Sequence, residues 1–338
     1  MALIAIDEIH AAQIQAGILG RKAGHAFEDQ IAAEINGLNY PFAIESVPIA
    51  HVVRGDPAIL LVSYIASELG YSKLESAVAI STGALATSED GRKWLTINGV
   101  DVKRCKSDLV LTLRSCDGRE ETVGISTKQC NNRTSTNAQL YFTTARGFSN
   151  LLRNNGIEVS GAAVLAMRQF CGDAGFRPLD DPNGIDGRLS DPRRYFWEEI
   201  DANGRVEWEN LFDARQNEIG RLMLQKAYMN DPFIPTFLLH KTCAAAEWNA
   251  TEVAIYSIDE LLNHSRAYGR FSTKSYSVRK GSYRDPAGVT HSAPRFGIVQ
   301  MQRGGQAQHP DQLQFNLEAG YFYKIQNVRP NMAGDSAS

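Results

Sequence analysis

The sequence predicts an α/β (α+β) fold, and three observations carry that prediction. Phe27, Ile31 and Ile35 recur at four-residue spacing ahead of Asn36-Gly37, the mark of a helix with one buried face and a stop signal. "DLVLTL" and "ETVGISTK" flank the turn residues "CDGR", which together make a β-hairpin. "EVAIYSIDELL" passes from a strand into a helix that Ser257 caps, with Glu260 three residues on. Helices, then paired strands, then further helices belong to an α/β or α+β core.

Taken in order, residues 9–36 read as helix. "ILLVSYIASELG" gives a second helix ending at Gly70, and "SKLESAVAISTGALATS" a third. "WLTING" begins β-structure, the hairpin follows, and residues 139–152 return to helix before Asn155-Gly156. Residues 172–194 are loop-like, with Pro178, Pro182 and Pro192 among Asp and Gly, so a boundary is expected near 172. Beyond it lie a helix over 207–228, built on Trp208, Leu211, Phe212, Ile219, Leu222 and Met223, and a set of strands. This divides the chain into residues 1–171, 172–330 and a tail over 331–338. No internal repeat is evident.

With 338 residues, 43% hydrophobic and 22% charged, the composition is that of an ordinary globular chain. No apolar run approaches the roughly 20 residues that span a bilayer, and the N-terminus lacks a basic leader, so a cytoplasmic, soluble protein with no membrane partner is expected. Five cysteines without a CxxC pair argue against a disulfide framework and a zinc ribbon. Charge is unevenly spread: residues 265–330 hold ten lysines and arginines against three acids on a chain whose total is −3. That asymmetry suits a surface for a polyanion, although a solvated basic face has the same composition.

Asp108 opens the first hairpin strand and Lys128 closes the second, so pairing across "CDGR" brings both to one sheet edge. A magnesium ion takes oxygen ligands and keeps several waters, so one or two carboxylates and a substrate phosphate hold it. A lysine beside it orients an attacking water and stabilises charge developing on phosphorus. The same two residues also fit a strand-end turn acid and an exposed strand charge. A competing frame uses Asp101 and Lys103 of "VDVKRC" with Asp90, but "SEDGRK" is a turn and the later segments are better strands.

"SD" opening a strand, about twenty residues, then x-x-Lys closing the next resembles the PD-(D/E)xK nuclease motif. The place of that family's second acid is held here by Ser126. The resemblance implies a replacement from an early helix, and Glu28 of "GHAFE" occupies the matching place. The order of "GHAFE" helix, "KSDLVL" strand, "STKQ" strand and long downstream region looks like a type II restriction endonuclease. It implies a mixed β-sheet flanked by helices over 1–171, with Asp108 and Glu28 as ligands of Mg²⁺. Lys128 would then orient the nucleophile, Ser126 would sit at the second-acid place, and residues 172–330 would form a mixed DNA-recognition region.

Candidate DNA contacts follow. Gln312 and Gln314 alternate with Leu313, Phe315 and Leu317, so one strand face packs while the other presents amides. Glutamine and arginine side chains bond adenine and guanine edges, which makes Gln300, Gln302, Arg303, Gln312 and Gln314 candidate base readers. Arg279 and Lys280 suit phosphate contacts, as do Asn131, Asn132 and Arg133, which directly follow the catalytic strand. The expected partner is double-stranded DNA, bound by a homodimer whose two-fold axis matches a two-fold site. A cognate DNA methyltransferase is expected as a functional counterpart without a stable complex. Two alternatives fit the same residues: a structure-specific nuclease of repair or recombination, and a DNA-binding protein without catalysis.

Overall fold

The computed structural model describes residues 24–44, 51–83, 95–102, 105–186, 191–225, 231–278, 285–303, 312–318 and 320–326. In chain order the elements begin with α1 (24–36), β1 (Phe42–Ala43), β2 (Val52–Gly55), α2 (Pro57–Glu68) and β3 (Lys73–Ser81). There follow β4 (Leu95–Ile97), β5 (Val100–Val102), β6 (Leu109–Ser115), β7 (Glu120–Gln129) and β8 (Ala138–Thr144). Four helices come next: α3 (Ala145–Asn154), α4 (Gly161–Cys171), α5 (Ala202–Ala214) and α6 (Gln216–Gln225). The remainder is β9 (Pro235–Lys241), β10 (Thr251–Ser257), α7 (Ile258–Tyr268), β11 (Phe271–Tyr276), β12 (His291–Phe296), β13 (Val299–Arg303), β14 (Gln312–Leu317) and α8 (Tyr321–Ile325). No helix among the described residues is long and apolar enough to cross a membrane.

The fold is mixed α+β and divides into two units. One comprises Met1–Ala138, Leu224–Leu261 and Ala319–Ser338, the other Gln139–Met223 and Leu262–Glu318. The boundary read near residue 172 therefore falls inside the second unit. Its physical reason is helix packing on both sides of the 172–194 loop: a Cβ on Gly204 of α5 would lie 2.3 Å from the Ala162 carbonyl of α4, so the two backbones meet closely.

The first unit is built on a seven-stranded sheet of order β1-β3-β6-β7-β9-β10-β2. All neighbours are antiparallel except β7 and β9, which run parallel and make the sheet mixed. Leu109, Leu111 and Leu113 of β6 point to one face, as period two requires, and pack with Val123 and Ile125 of β7. Phe27, Ile31 and Ile35 of α1 and Leu61, Val62 and Ile65 of α2 cover that same face. Helix α2 starts where Asp56 accepts the Ala58 and Ile59 amides with Pro57 at the first turn, and it stops before Gly70 at φ 69°. Asn36 fastens the end of α1 to the sheet: its amide nitrogen donates to the Ala79 carbonyl at 2.9 Å and its oxygen accepts the Ala79 N–H at 2.8 Å.

Two helix readings give way to strands. "KLESAVAIS" is β3, where alanine-rich composition favours helix but Ala77 and Ala79 alternate with exposed Val78 after an irregularity between Leu74 and Ser76. Residues 138–144 are β8, with buried Ala138 and Leu140 on one face, and the helix begins only after Thr144 accepts the Gly147 amide. Of the helix read over 207–228, the described residues fall in two helices, α5 and α6, and 226–228 lie outside the described residues. Residues 9–23 of the first predicted helix lie outside the described residues.

The second unit holds a five-stranded sheet of order β11-β12-β13-β14-β8. Its core is aromatic. Phe148 stacks on Trp208 with ring centres 5.3 Å apart, Phe212 stacks on Phe296 at 4.6 Å, and the Trp208 indole N–H donates to the Ala163 carbonyl at 2.7 Å. Leu313, Phe315 and Leu317 are buried, as the alternation in β14 predicts.

Candidate active site

The hairpin register sets the site. Leu109 of β6 faces Ile125 of β7, and the Asp108 N–H donates to the Ile125 carbonyl at 2.8 Å. Asp108 thus stands beside Ser126, and period two puts Lys128 on the same face. The residue before Asp108 is pinned as well. Ser107 Oγ donates to the Phe233 carbonyl at 2.6 Å, and a Cβ on Gly124 would come within 2.1 Å of that hydroxyl and 2.7 Å of the Ile234 carbonyl. Only glycine leaves room for this crossing.

Two side chains and one backbone N–H converge on a single carboxylate oxygen. Asp108 Oδ2 accepts the Thr127 N–H at 2.7 Å, the Ser126 hydroxyl at 3.2 Å and the Lys128 ammonium at 3.3 Å. Lys128 Nζ also donates to Ser126 Oγ at 3.0 Å and to the Thr127 carbonyl at 2.6 Å, which fixes its long side chain. The Lys128 side chain is 17% exposed and that of Asp108 31%, so the pair lies near the surface of the unit without being open to it.

Glu28 reaches this cluster from α1. It lies on the buried stripe with Phe27, Ile31, Ala32 and Ile35, only 7% exposed, and is not a solvated helix acid. Its Oε1 accepts the Thr127 hydroxyl at 2.7 Å, while Oε2 is buried without a hydrogen-bond partner among the described residues. Burial, and then the negative charge of Asp108, push the Glu28 carboxyl up to about 8, against the opposing pull of the Thr127 bond and Lys128.

Further basic groups surround the pair. Lys106 is pushed down to about 8 by burial and by Lys128, with Asp108 and Asp231 opposing. His240 lies beside Lys128 across the parallel β7/β9 register, fully enclosed, and burial followed by Lys128 lowers it to about 4. His240 is therefore neutral at physiological pH.

The oxygen donors fit a small hard cation. An ionised carboxylate with one buried oxygen lacking a donor is costly, and a divalent ion bound between Asp108 and Glu28 would offset that cost. Ser126 contributes no charge, so the second carboxylate beside Asp108 comes from α1 and is held there by the Thr127 hydroxyl. Thr127, Lys106 and His240 were not singled out from sequence. Thr127 lies inside the motif itself, whereas β9 joins β7 from more than a hundred residues downstream with no local signal.

The remaining candidates fall elsewhere. Asn131 Oδ1 accepts the Lys241 ammonium at 3.1 Å, the Asn132 carbonyl accepts the Ala244 N–H at 2.9 Å, and Arg133 is exposed. In the second unit Gln302 pairs with Gln314 across β13 and β14. These amides bond laterally: Gln302 Nε2 donates to Gln300 Oε1 at 2.8 Å, and Gln314 Nε2 donates to Asn316 Oδ1 at 3.0 Å and to Gln139 Oε1 at 3.3 Å. Gln312 is half-buried at the start of β14. The Arg303 side chain is 10% exposed and lies 3.9 Å from Asp191. Arg279 and Lys280 lie outside the described residues, as do Asp90 and Lys103 of the competing frame. Its Asp101 is on β5, accepting the Thr96 hydroxyl at 2.8 Å.

No family model matches the chain, and no curated protein does. A solved structure of the restriction endonuclease MspI in complex with its cognate DNA is similar to it at a TM-score of 0.43, with 12% sequence identity, covering 75% of this chain and 76% of that one.

Proposed function

We propose that this chain is a Mg²⁺-dependent endodeoxyribonuclease of the PD-(D/E)xK kind, acting as a type II restriction enzyme on a specific sequence in double-stranded DNA. One observation carries the reading. Asp108 and Lys128 meet at 3.3 Å on paired strands, and a second carboxylate, Glu28, joins them through Thr127 with one oxygen unpartnered among the described residues. A structural ion pair needs no such second acid.

In this reading Asp108 and Glu28 hold the ion. Bound magnesium would supply positive charge to a phosphoryl oxygen and make water more acidic. Lys128, held by Ser126 and the Thr127 carbonyl, orients the attacking water and stabilises the negative charge that grows on phosphorus in the transition state. Neutral His240 adds no second positive charge behind it. Residues of the amide-rich sheet and the 131–133 loop serve DNA contact, a homodimer cuts both strands, and a methyltransferase protects host DNA. The alternative of a DNA-binding protein without catalysis is favoured by one fact, that Asp108 and Lys128 already satisfy each other.

Plasmid digestion in Mg²⁺ against EDTA tests the reading. Discrete fragments that appear only with Mg²⁺ are expected. Binding of duplex DNA with no cleavage under either condition would leave the non-catalytic alternative, and preference for branched substrates would leave a repair nuclease.

A further inference from the structure

The second unit holds a partly open pocket of about 240 Å³ whose lining includes Arg194, Lys274, Tyr276, Gln300, Gln302 and Arg303. Among the described residues that line it, three carry a positive charge and none is acidic. Asp191 lies 3.9 Å from both Arg194 and Arg303. That carboxylate is already engaged by Arg193, whose Nε and Nη2 each donate to it at 2.8 Å. Glu198 and Asp285 are bonded to His291 at 2.9 and 2.6 Å.

We propose that this pocket binds a phosphate-class oxyanion, carried either by a free mononucleotide or by the backbone of a nucleic acid strand. Guanidinium groups present forked donors that match phosphate oxygens, and the ammonium of Lys274 adds a mobile point charge. Tyr276 and the Gln300 and Gln302 amides offer a ring face and neutral hydrogen-bonding groups to the atoms that the phosphate carries with it. The pocket is smaller than the roughly 300–1,000 Å³ that encloses a drug-sized ligand, so it suits a phosphate with part of its sugar. Burial, then Arg194, pushes Arg303 down to about 10, with Asp191 opposing; it remains charged at neutral pH, and a bound anion relieves the crowding. Every lining residue belongs to the second unit, so the proposal stands independently of the catalytic reading.

The test uses the full chain in EDTA, so that no cleavage enters. Inorganic phosphate, a 5′-deoxymononucleotide and a short duplex are each titrated by calorimetry, with chloride at equal ionic strength as the control. Phosphate and the mononucleotide are expected to bind and raise the melting temperature above the chloride control. Lys274→Gln is expected to weaken that binding about tenfold, the size of one charge-assisted hydrogen bond. Lys274 is exposed, so this variant keeps its fold; Arg194→Gln is the second probe. A Lys274-dependent loss for the duplex identifies the backbone as the source, and a loss confined to phosphate and mononucleotide identifies a free nucleotide. If neither substitution changes the binding of any of the three, the pocket is not an anion site.

Discussion

Thr127 donates its hydroxyl to Glu28 at 2.7 Å while its N–H donates to Asp108 at the same distance, so one residue ties both carboxylates to β7. Thr127→Val keeps the shape and the backbone donor but removes the bond to Glu28. The expected result is a rise of about tenfold in the Mg²⁺ concentration needed for half-maximal cleavage, one hydrogen bond's worth of positioning. Binding to duplex DNA in Ca²⁺ should be unchanged. A metal titration of both proteins checks this.

Glu28 makes the metal-free protein sensitive to pH in a defined window. Its folded pKa of about 8 lies above the unfolded value of 4.5, so the native state keeps a proton that the unfolded chain has lost, and stability falls as pH rises toward 8. His240, lowered to about 4, acts in the opposite direction below pH 6.5, and Lys106, lowered to about 8, does so above 8. The Glu28 effect therefore shows between pH 6.5 and 8, with a loss on the order of 2 kcal/mol. Glu28→Gln should flatten that slope in urea titrations at the two pH values.

The same carboxyl predicts proton release. At pH 7 metal-free Glu28 is largely protonated, and a cation held by its carboxylate must displace that proton. Calorimetry of Mg²⁺ binding in buffers of different ionisation enthalpy should report close to one proton released per ion. Glu28→Gln should abolish the release and weaken binding, and Ser126→Glu should partly restore binding in the Glu28→Gln background.

Much of the β6/β7 hairpin is legible because "DLVLTL" and "ETVGISTK" alternate cleanly around a turn, and alternation fixes which residues share a face. Asp108, Ser126 and Lys128 fall together for that reason. Glu28 carried a further signal, since it sits within the 27, 28, 31, 32, 35 stripe, and an acid on an apolar stripe is unusual. What sequence concealed was non-local. His240 approaches Lys128 through a parallel pairing, which no short-range pattern announces. β3 was hidden by its alanines, whose helical preference is overridden by pairing on both sides of the strand. Arg303 reads in sequence as a candidate base contact, and only the tertiary fold shows Asp191 against it.

Gly124 tests the geometry that holds Asp108. Gly124→Ala places a methyl within 2.1 Å of Ser107 Oγ and 2.7 Å of the Ile234 carbonyl, where the backbone cannot yield. A loss of about 2–3 kcal/mol in unfolding free energy is expected, in the range of overpacked cores. Urea denaturation measures it, and a change under 0.5 kcal/mol would show that the crossing of Ser107 over β7 is looser than its contacts indicate.

The most direct measurement compares Lys128→Ala and Asp108→Ala with the unaltered protein in cleavage with Mg²⁺, duplex affinity in Ca²⁺, and melting temperature. Lys128→Ala should lower the cleavage rate at least about a thousandfold, the scale of losing a group that stabilises transition-state charge, while affinity and melting temperature stay close to those of the unaltered protein. Asp108→Ala should also abolish cleavage, and in metal-free buffer it should bind duplex more tightly, because a negative charge near the scissile phosphate is gone. Loss of stability and affinity together in both variants, or cleavage by either at near the unaltered rate, would contradict the catalytic assignment of the Asp108 and Lys128 pair.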